Sequence, residues 1–370
     1  MIYLSTLKVS FLLFLLVAFL ITIPFILIEY HKYGAISKMR VLIIYSFVLY
    51  LMTAYLLVIL PLPNIDEVAK LTTPKMRLIP FAFVIDFIKE TPLIWSNPST
   101  YLKALKDPSF YTVFFNILMT IPFGMYLRYF FQKDLKTTIK YSFFLSLFFE
   151  LTQLSGLYFI YPRPYRLFDV DDLMMNTLGG IIGFLFMGKL AKFLPTREDI
   201  DKKTRETSQM VSGFRRITLF YLDFTLFTIL SSLENIIFPK SKWLKYVLFF
   251  LYFVFIPYFW HGKTIGSNYL NVKFCFKIPS LVGLFIKVII QIIYYMVFPF
   301  DFMFISNLLI SNFNLEIGIK FLLLILSFMI FVLYYFVNIL HLIKNKKMFY
   351  DKFSTVEFVS TLQVDNNKNH

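Results

Sequence analysis

Val9–Ile28 reads VSFLLFLLVAFLITIPFILI, a run with no charged side chain. Coiled into an α-helix at 1.5 Å per residue, such a run spans about 30 Å, the depth of a bilayer's hydrocarbon core. In lipid, every backbone N–H and C=O must find its partner inside its own segment, and a helix does this. Comparable runs recur at Val41–Ile59, Tyr111–Phe131, Ile139–Ile160, Leu173–Leu194, Ile217–Phe238, Leu244–Trp260, Leu281–Phe300 and Phe321–Leu340. The expected fold class is therefore all-α: a polytopic helical membrane protein with about nine transmembrane helices in two bundles.

Composition agrees where it bears on the point. Of 370 residues, 58% are hydrophobic, including 48 Phe and 24 Tyr, more apolar surface than a soluble chain of this length can bury. The single cysteine, Cys275, excludes an internal disulfide framework and a cysteine-based zinc site. His31, His261, His341 and His370 show no metal-ligand spacing, and no P-loop, GxSxG or HExxH occurs. No metal and no cofactor is expected. The net charge of +15 comes without a soluble basic module, so no nucleic-acid partner is expected. Such charges set topology and bind anionic lipid.

Lys and Arg are more numerous in the stretches after the first, third, fifth, seventh and ninth runs. By the positive-inside rule the N-terminus lies outside and the C-terminus in the cytosol. The basic residues of Pro61–Phe110 fall on the other side, in a segment long enough to weigh little. PTREDIDKKTRETSQMVSGFRR, from Pro195 to Arg216, is the one long charged stretch and reads as a partly disordered cytosolic linker. The expected organisation is a first bundle over residues 1–194, a linker over 195–214, a second bundle over 215–360 and a polar tail over 361–370.

Three runs of the first half carry a polar or small stripe. Ser142, Ser146, Glu150 and Gln153 share one helical face, as do Asp172, Asn176, Gly179 and Gly183, with Asn116, Thr120 and Gly124 repeating the pattern. The Gly179–Gly183 step lets another helix approach closely, so the stripes should face one another. Glu150 lies about midway along its expected run, where a carboxyl costs roughly 2.5–3.5 kcal/mol. It must find a partner, and Gln153, Asn176, Arg163 and Arg166 are within reach. Asp171 or Asp172 is the expected N-cap of the fifth run. Asp171 stands about 100° away from the Asp172 face and should mainly cap. The remaining acids, Asp169 and Asp172, with Arg166, suggest a polar pocket opening outward.

RLIPF, FFNILMTIPFGMYL, FFELTQL and RLFDVDDLMMNTLGGIIG, in that order, resemble the VanZ-like family over about Arg77–Gly188. The resemblance implies a link to low-level resistance against teicoplanin and no defined reaction. Arg77 departs from the Asn that the family often has there. In the second half, FRRITLFYLDF, WHGKTIGSNYLNVKF and FYDKFSTVEF resemble the RDD family, whose Arg and two Asp would be Arg216, Asp223 and Asp351.

Each feature has a plain structural reading beside a functional one. Glu150 with Gln153 could be an interhelical hydrogen-bond pair. The aspartates could cap and pair with Arg163 or Arg166, or bind a divalent cation with Glu150. Asp223 could pair with Arg216. The functional expectation is a cell-envelope role in the bacterial plasma membrane. A pocket of Glu150, Gln153, Arg166, Asp169, Asp172 and Asn176 would bind or shield membrane lipid, a lipid-linked cell-wall precursor or a lipoglycopeptide. An ion-coupled transporter working through Asp223 is the first alternative. An intramembrane enzyme using Glu150 and Asp172 on a lipid carrier is the second.

Overall fold

The computed structural model of the chain describes residues 2–94, 96–241, 243–276, 281–294, 316–343 and 356–362, together with 306, 308 and 310. Among the described residues six helices are long and apolar enough to cross a membrane: Lys8–Tyr33, Lys38–Ile59, Pro108–Tyr129, Val170–Phe193, Gly213–Ile237 and Ile317–His341. Their outward residues are large and apolar, as at Phe19, Leu20, Phe321 and Met329. Water would not tolerate that surface, whereas lipid matches it. The chain is a polytopic helical membrane protein. The expected runs over Leu244–Trp260 and Leu281–Phe300 appear as the shorter apolar helices Leu244–Phe259 and Leu281–Ile292, and residues 295–300 lie outside the described residues.

The chain forms two compact units, Met1–Thr22 with Lys38–Ile200, and Ile23–Ser37 with Asp201–His370. Helix α1 (Ile2–Tyr33) contributes to both. The first unit adds α2 (Lys38–Ile59), the short α3 (Ala82–Glu90), α4 (Pro108–Tyr129), α5 (Leu135–Leu154) and α6 (Val170–Leu190). Local chemistry starts these helices. Asp107 caps α4 through the N–H of Ser109, with Pro108 at the first turn where a missing N–H costs nothing. Asp134 caps α5 through Thr137, and Asp169 caps α6 through Asp171.

Small residues bring α4 and α6 together. Asn116 bonds Asp172, Thr120 bonds the Asn176 carbonyl and Arg128 reaches the Phe184 carbonyl, each 56 positions apart. A constant offset means parallel helices in fixed register. A Cβ on Gly179 or Gly183 would strike the carbonyls of Ile117 and Ile121, and one on Gly124 would strike that of Gly180. Helix α5 runs antiparallel beside them, with Ser146 against Asn176 and Ser142 against Gly180. The three stripes do face one another. Ala54, Val58, Val68, Phe149, Leu157 and Tyr161 form an apolar core beside them.

Two short strands, β1 (Met76–Arg77) and β2 (Phe168–Asp169), pair in parallel with Arg77 opposite Asp169. They join the connection after α2 to the start of α6.

The second unit begins with α7 (Arg197–Thr207), for the most part within it. The charged stretch expected to be partly disordered is thus helical here. Next come α8 (Gly213–Ile237), α9 (Leu244–Phe259, with a π turn over Leu251–Phe255), α10 (Ile265–Tyr269), α11 (Leu281–Ile292) and α12 (Ile317–Ile343). Strands β3 (Val272–Phe276) and β4 (Val356–Ser360) pair antiparallel, and Val272, Phe274, Val356 and Phe358 fill the core between them and α8.

Candidate functional site

Glu150 lies close to the end of α5. The helix stops at Leu154, because Ser155 and Gly156 turn the chain and Gly156 takes the left-handed φ of +61°. The expectation of a mid-span carboxylate is corrected: Glu150 is level with the first turn of α6, and its Oε2 accepts from the backbone N–H of Asp169 at 3.0 Å. The site therefore gathers where α2 ends, α4 begins, α5 ends and α6 begins.

The three aspartates of α6 do three different things. Asp169 is the N-cap, accepting from the Asp171 N–H at 3.0 Å, so the cap expected at Asp171 or Asp172 belongs to neither. Its other partner is Arg77, whose Nε donates to Asp169 Oδ2 at 2.9 Å while a second nitrogen reaches Asp86. Asp169 foremost, with Asp86 adding to it, raises the guanidinium's pKa above its ordinary value, so Arg77 stays charged at any working pH. Asp171 is buried, and its carboxylate accepts from the backbone N–H groups of Phe81 at 2.6 Å and Phe83 at 2.9 Å. It clamps the entry of α3 and does not cap. Asp172 turns to the polar stripe and accepts from Asn116 Nδ2 at 2.5 Å.

Asn176 donates to Ser146 Oγ at 2.9 Å, and Gln153 donates to the Val58 carbonyl at 3.2 Å. The expected ion pairs from Arg163 and Arg166 are replaced: Arg163 donates to the Thr73 carbonyl and Arg166 to the Leu60 carbonyl. Arg77 takes the ionic role instead. Sequence reading placed Arg77 only as a departure from a motif, since its partner Asp169 lies 92 positions away.

Between these helices is a cavity of about 190 Å³. Its polar wall is Glu150, Gln153, Arg166, Asp172, Asn116 and Asn176, and its apolar wall includes Tyr111, Phe115, Met119 and Phe149. Of the six pocket residues expected from sequence, five line it and Asp169 stands behind, holding Glu150 and Arg77. Among the described residues no three His, Cys, Asp or Glu side chains gather at metal-ligand spacing.

Residues 47–194 match the family model VanZ/LLP1. The matched segment holds every residue that lines the cavity, along with Arg77, Asp169 and Asp171. The second unit lies beyond the match. Comparison with curated proteins gives no match, and neither does comparison with solved structures.

In the second unit, Asp223 is buried on α8 and accepts from Tyr252 Oη at 2.8 Å, Thr264 Oγ1 at 2.7 Å and the Gly266 N–H at 3.0 Å. The expected pairing with Arg216 gives way to these three donors. Arg216 stacks over Phe358 at 4.9 Å from the ring centroid. The buried guanidinium is that of Arg215, which donates to the Leu270 carbonyl at 2.9 and 2.7 Å and to that of Asn271 at 2.8 Å. Asp351 lies outside the described residues.

Proposed function

We propose that the cavity of the first unit binds the headgroup of an amphiphile, and that the protein acts in the cell envelope by holding or shielding a lipid-linked wall precursor or a teicoplanin-type lipoglycopeptide. The observation behind this reading is the composition of the cavity: two carboxylates, a guanidinium and amides at the end of a lipid-facing bundle, next to aromatic walls. Burying such groups is costly unless they have partners, and retaining them at one point argues for use. The likeness of residues 47–194 to a family associated with glycopeptide resistance supports the same role. With the N-terminus outside and the C-terminus in the cytosol, as the basic residues favour, the cavity opens on the outer face of the plasma membrane. The test is susceptibility to teicoplanin at matched protein abundance. Cells expressing the wild type should differ from cells expressing Glu150→Gln or Asp172→Asn. Equal susceptibility removes the cavity from the phenotype.

A second reading concerns the other unit. Asp223 meets Thr264 and Gly266 of the Thr-Ile-Gly loop, a contact that supports the likeness to the RDD family and keeps ion-coupled transport through Asp223 as a reading of that unit. A cation-dependent flux in proteoliposomes, lost in Asp223→Asn, is its expected result. Absence of flux in the wild type ends it.

A further inference from the structure

The cavity wall has more acceptors than the protein satisfies. Glu150 commits one oxygen to the Asp169 N–H and Asp172 one to Asn116. Asn176 is 2% exposed and lines the same cavity, and its Oδ1 has no hydrogen-bond partner. A buried carbonyl left without a donor costs about 1–3 kcal/mol. Two carboxylates face one guanidinium, and that guanidinium, Arg166, already donates to the Leu60 carbonyl. One oxygen each of Glu150 and Asp172 is therefore open to a further N–H donor, beside the wall's own Arg166, Gln153 and Asn116. Aromatic rings lie alongside, and the face of such a ring attracts a cation.

We propose that the cavity takes a primary ammonium group, carried by an amine-bearing lipid headgroup. Its N–H groups suit the free oxygens of Glu150 and Asp172, which line the same cavity. A phosphate or a sugar acid brings acceptors where the free carboxyl oxygens call for donors. A quaternary ammonium satisfies the aromatic wall and brings no N–H to the carboxylates. The cavity, about 190 Å³, has room for an aminoethyl head. The lipid source follows from the surroundings, since the flanking helices present apolar faces that acyl chains can lie against.

This inference rests on the amphiphile-binding reading, and the experiment separates the two. The full chain, purified in detergent, is offered phosphatidylethanolamine, the same lipid with its amine acetylated, phosphatidylcholine and phosphatidylglycerol, and bound lipid is measured by native mass spectrometry. Phosphatidylethanolamine should be retained at least about tenfold more tightly than the acetylated lipid, and Glu150→Gln should erase the difference. Acetylation alters the lipid alone, so the comparison holds even where a variant does not fold. Equal retention of the acetylated lipid, or tighter binding of phosphatidylcholine or phosphatidylglycerol, overturns the ammonium and leaves the amphiphile reading standing. Displacement of phosphatidylethanolamine by an equal concentration of free ethanolamine overturns the lipid source. No lipid retained in any arm overturns both readings.

Discussion

Asp171→Asn should be among the most damaging conservative changes in the first unit. The carboxylate is 1% exposed and accepts from two backbone donors, Phe81 N at 2.6 Å and Phe83 N at 2.9 Å. An amide of the same shape keeps one acceptor oxygen and turns an NH2 group toward the other backbone N–H. One donor is orphaned, and a hydrogen bond to a charged group is lost, at a cost of about 1.5–3 kcal/mol. Asp171→Ala orphans both donors and should cost roughly twice that. The clamp also holds Phe81 in its left-handed conformation, φ +62°, which a side chain other than glycine adopts at a cost of about 1–2 kcal/mol. Released, the segment has a reason to leave α6.

The assay is denaturant titration of the purified protein, with membrane abundance alongside. Asp171→Asn should lose 1.5–3 kcal/mol, on the order of the clamp's hydrogen bonds, and fall in abundance, while Glu150→Gln keeps its abundance and loses ligand. That order reverses the expectation from spacing alone, in which Asp171 caps and its removal costs about 1 kcal/mol. If Asp171→Asn unfolds within about 0.5 kcal/mol of the wild type, a shift typical of surface sites, the clamp does not hold α3 and the reasoning fails.

Gly183→Ala should lose about 1–3 kcal/mol, since its Cβ would meet the backbone of Ile121, which cannot swing aside; Gly318→Ala, with nothing within 4 Å of the new Cβ, should be neutral or gain up to about 1 kcal/mol, and equal effects in the same titration would contradict the close α4–α6 contact. Arg215→Lys should cost about 2–4 kcal/mol by leaving the Leu270 and Asn271 carbonyls short of donors; a loss under about 0.5 kcal/mol by thermal unfolding, typical of a surface site, removes Arg215 as an anchor. Reporter fusions after Phe131 and Leu194 should give a cytosolic signal and fusions near Pro98 and Lys240 an outside one; a cytosolic signal at Pro98 inverts the first half.

The helices and the facing stripes were legible because they depend on local order. Apolar run length set the spans, and the spacing of Asn116, Thr120 and Gly124 against Asp172, Asn176 and Gly179 set the contact face. What depends on distant chain was not legible. Apolar residues continue through Gly156–Ile160, so the sequence hides the turn that moves Glu150 to the helix end. The angle that turns Asp172 into the cavity also turns Asp171 out of it, yet nothing local says that the entry of α3 waits there. Arg77 acquires meaning only when β1 meets β2. Periodicity favours Arg216, seven residues before Asp223, yet the carbonyls of Leu270 and Asn271 after α10 take Arg215.

Two buried carboxylate centres in one chain differ in how far the fold satisfies them. Asp223 is surrounded by donors: a tyrosine hydroxyl, a threonine hydroxyl and a backbone N–H. Lys287 Nζ lies over the Phe274 ring, 3.2 Å from its centroid. The needs of Asp223 are met by groups the fold already supplies, so a cation arriving there would have to displace them. Glu150 and Asp172 have one internal donor each, and Asn176 Oδ1 has none. Arg166, in the same wall, gives one of its N–H groups to the Leu60 carbonyl. A buried polar group is tolerated when it is satisfied, and the cost of leaving it unsatisfied is recovered only when something binds. By that criterion the proposed recognition belongs to the first unit, and ion coupling through Asp223 would have to compete with three hydrogen bonds already made.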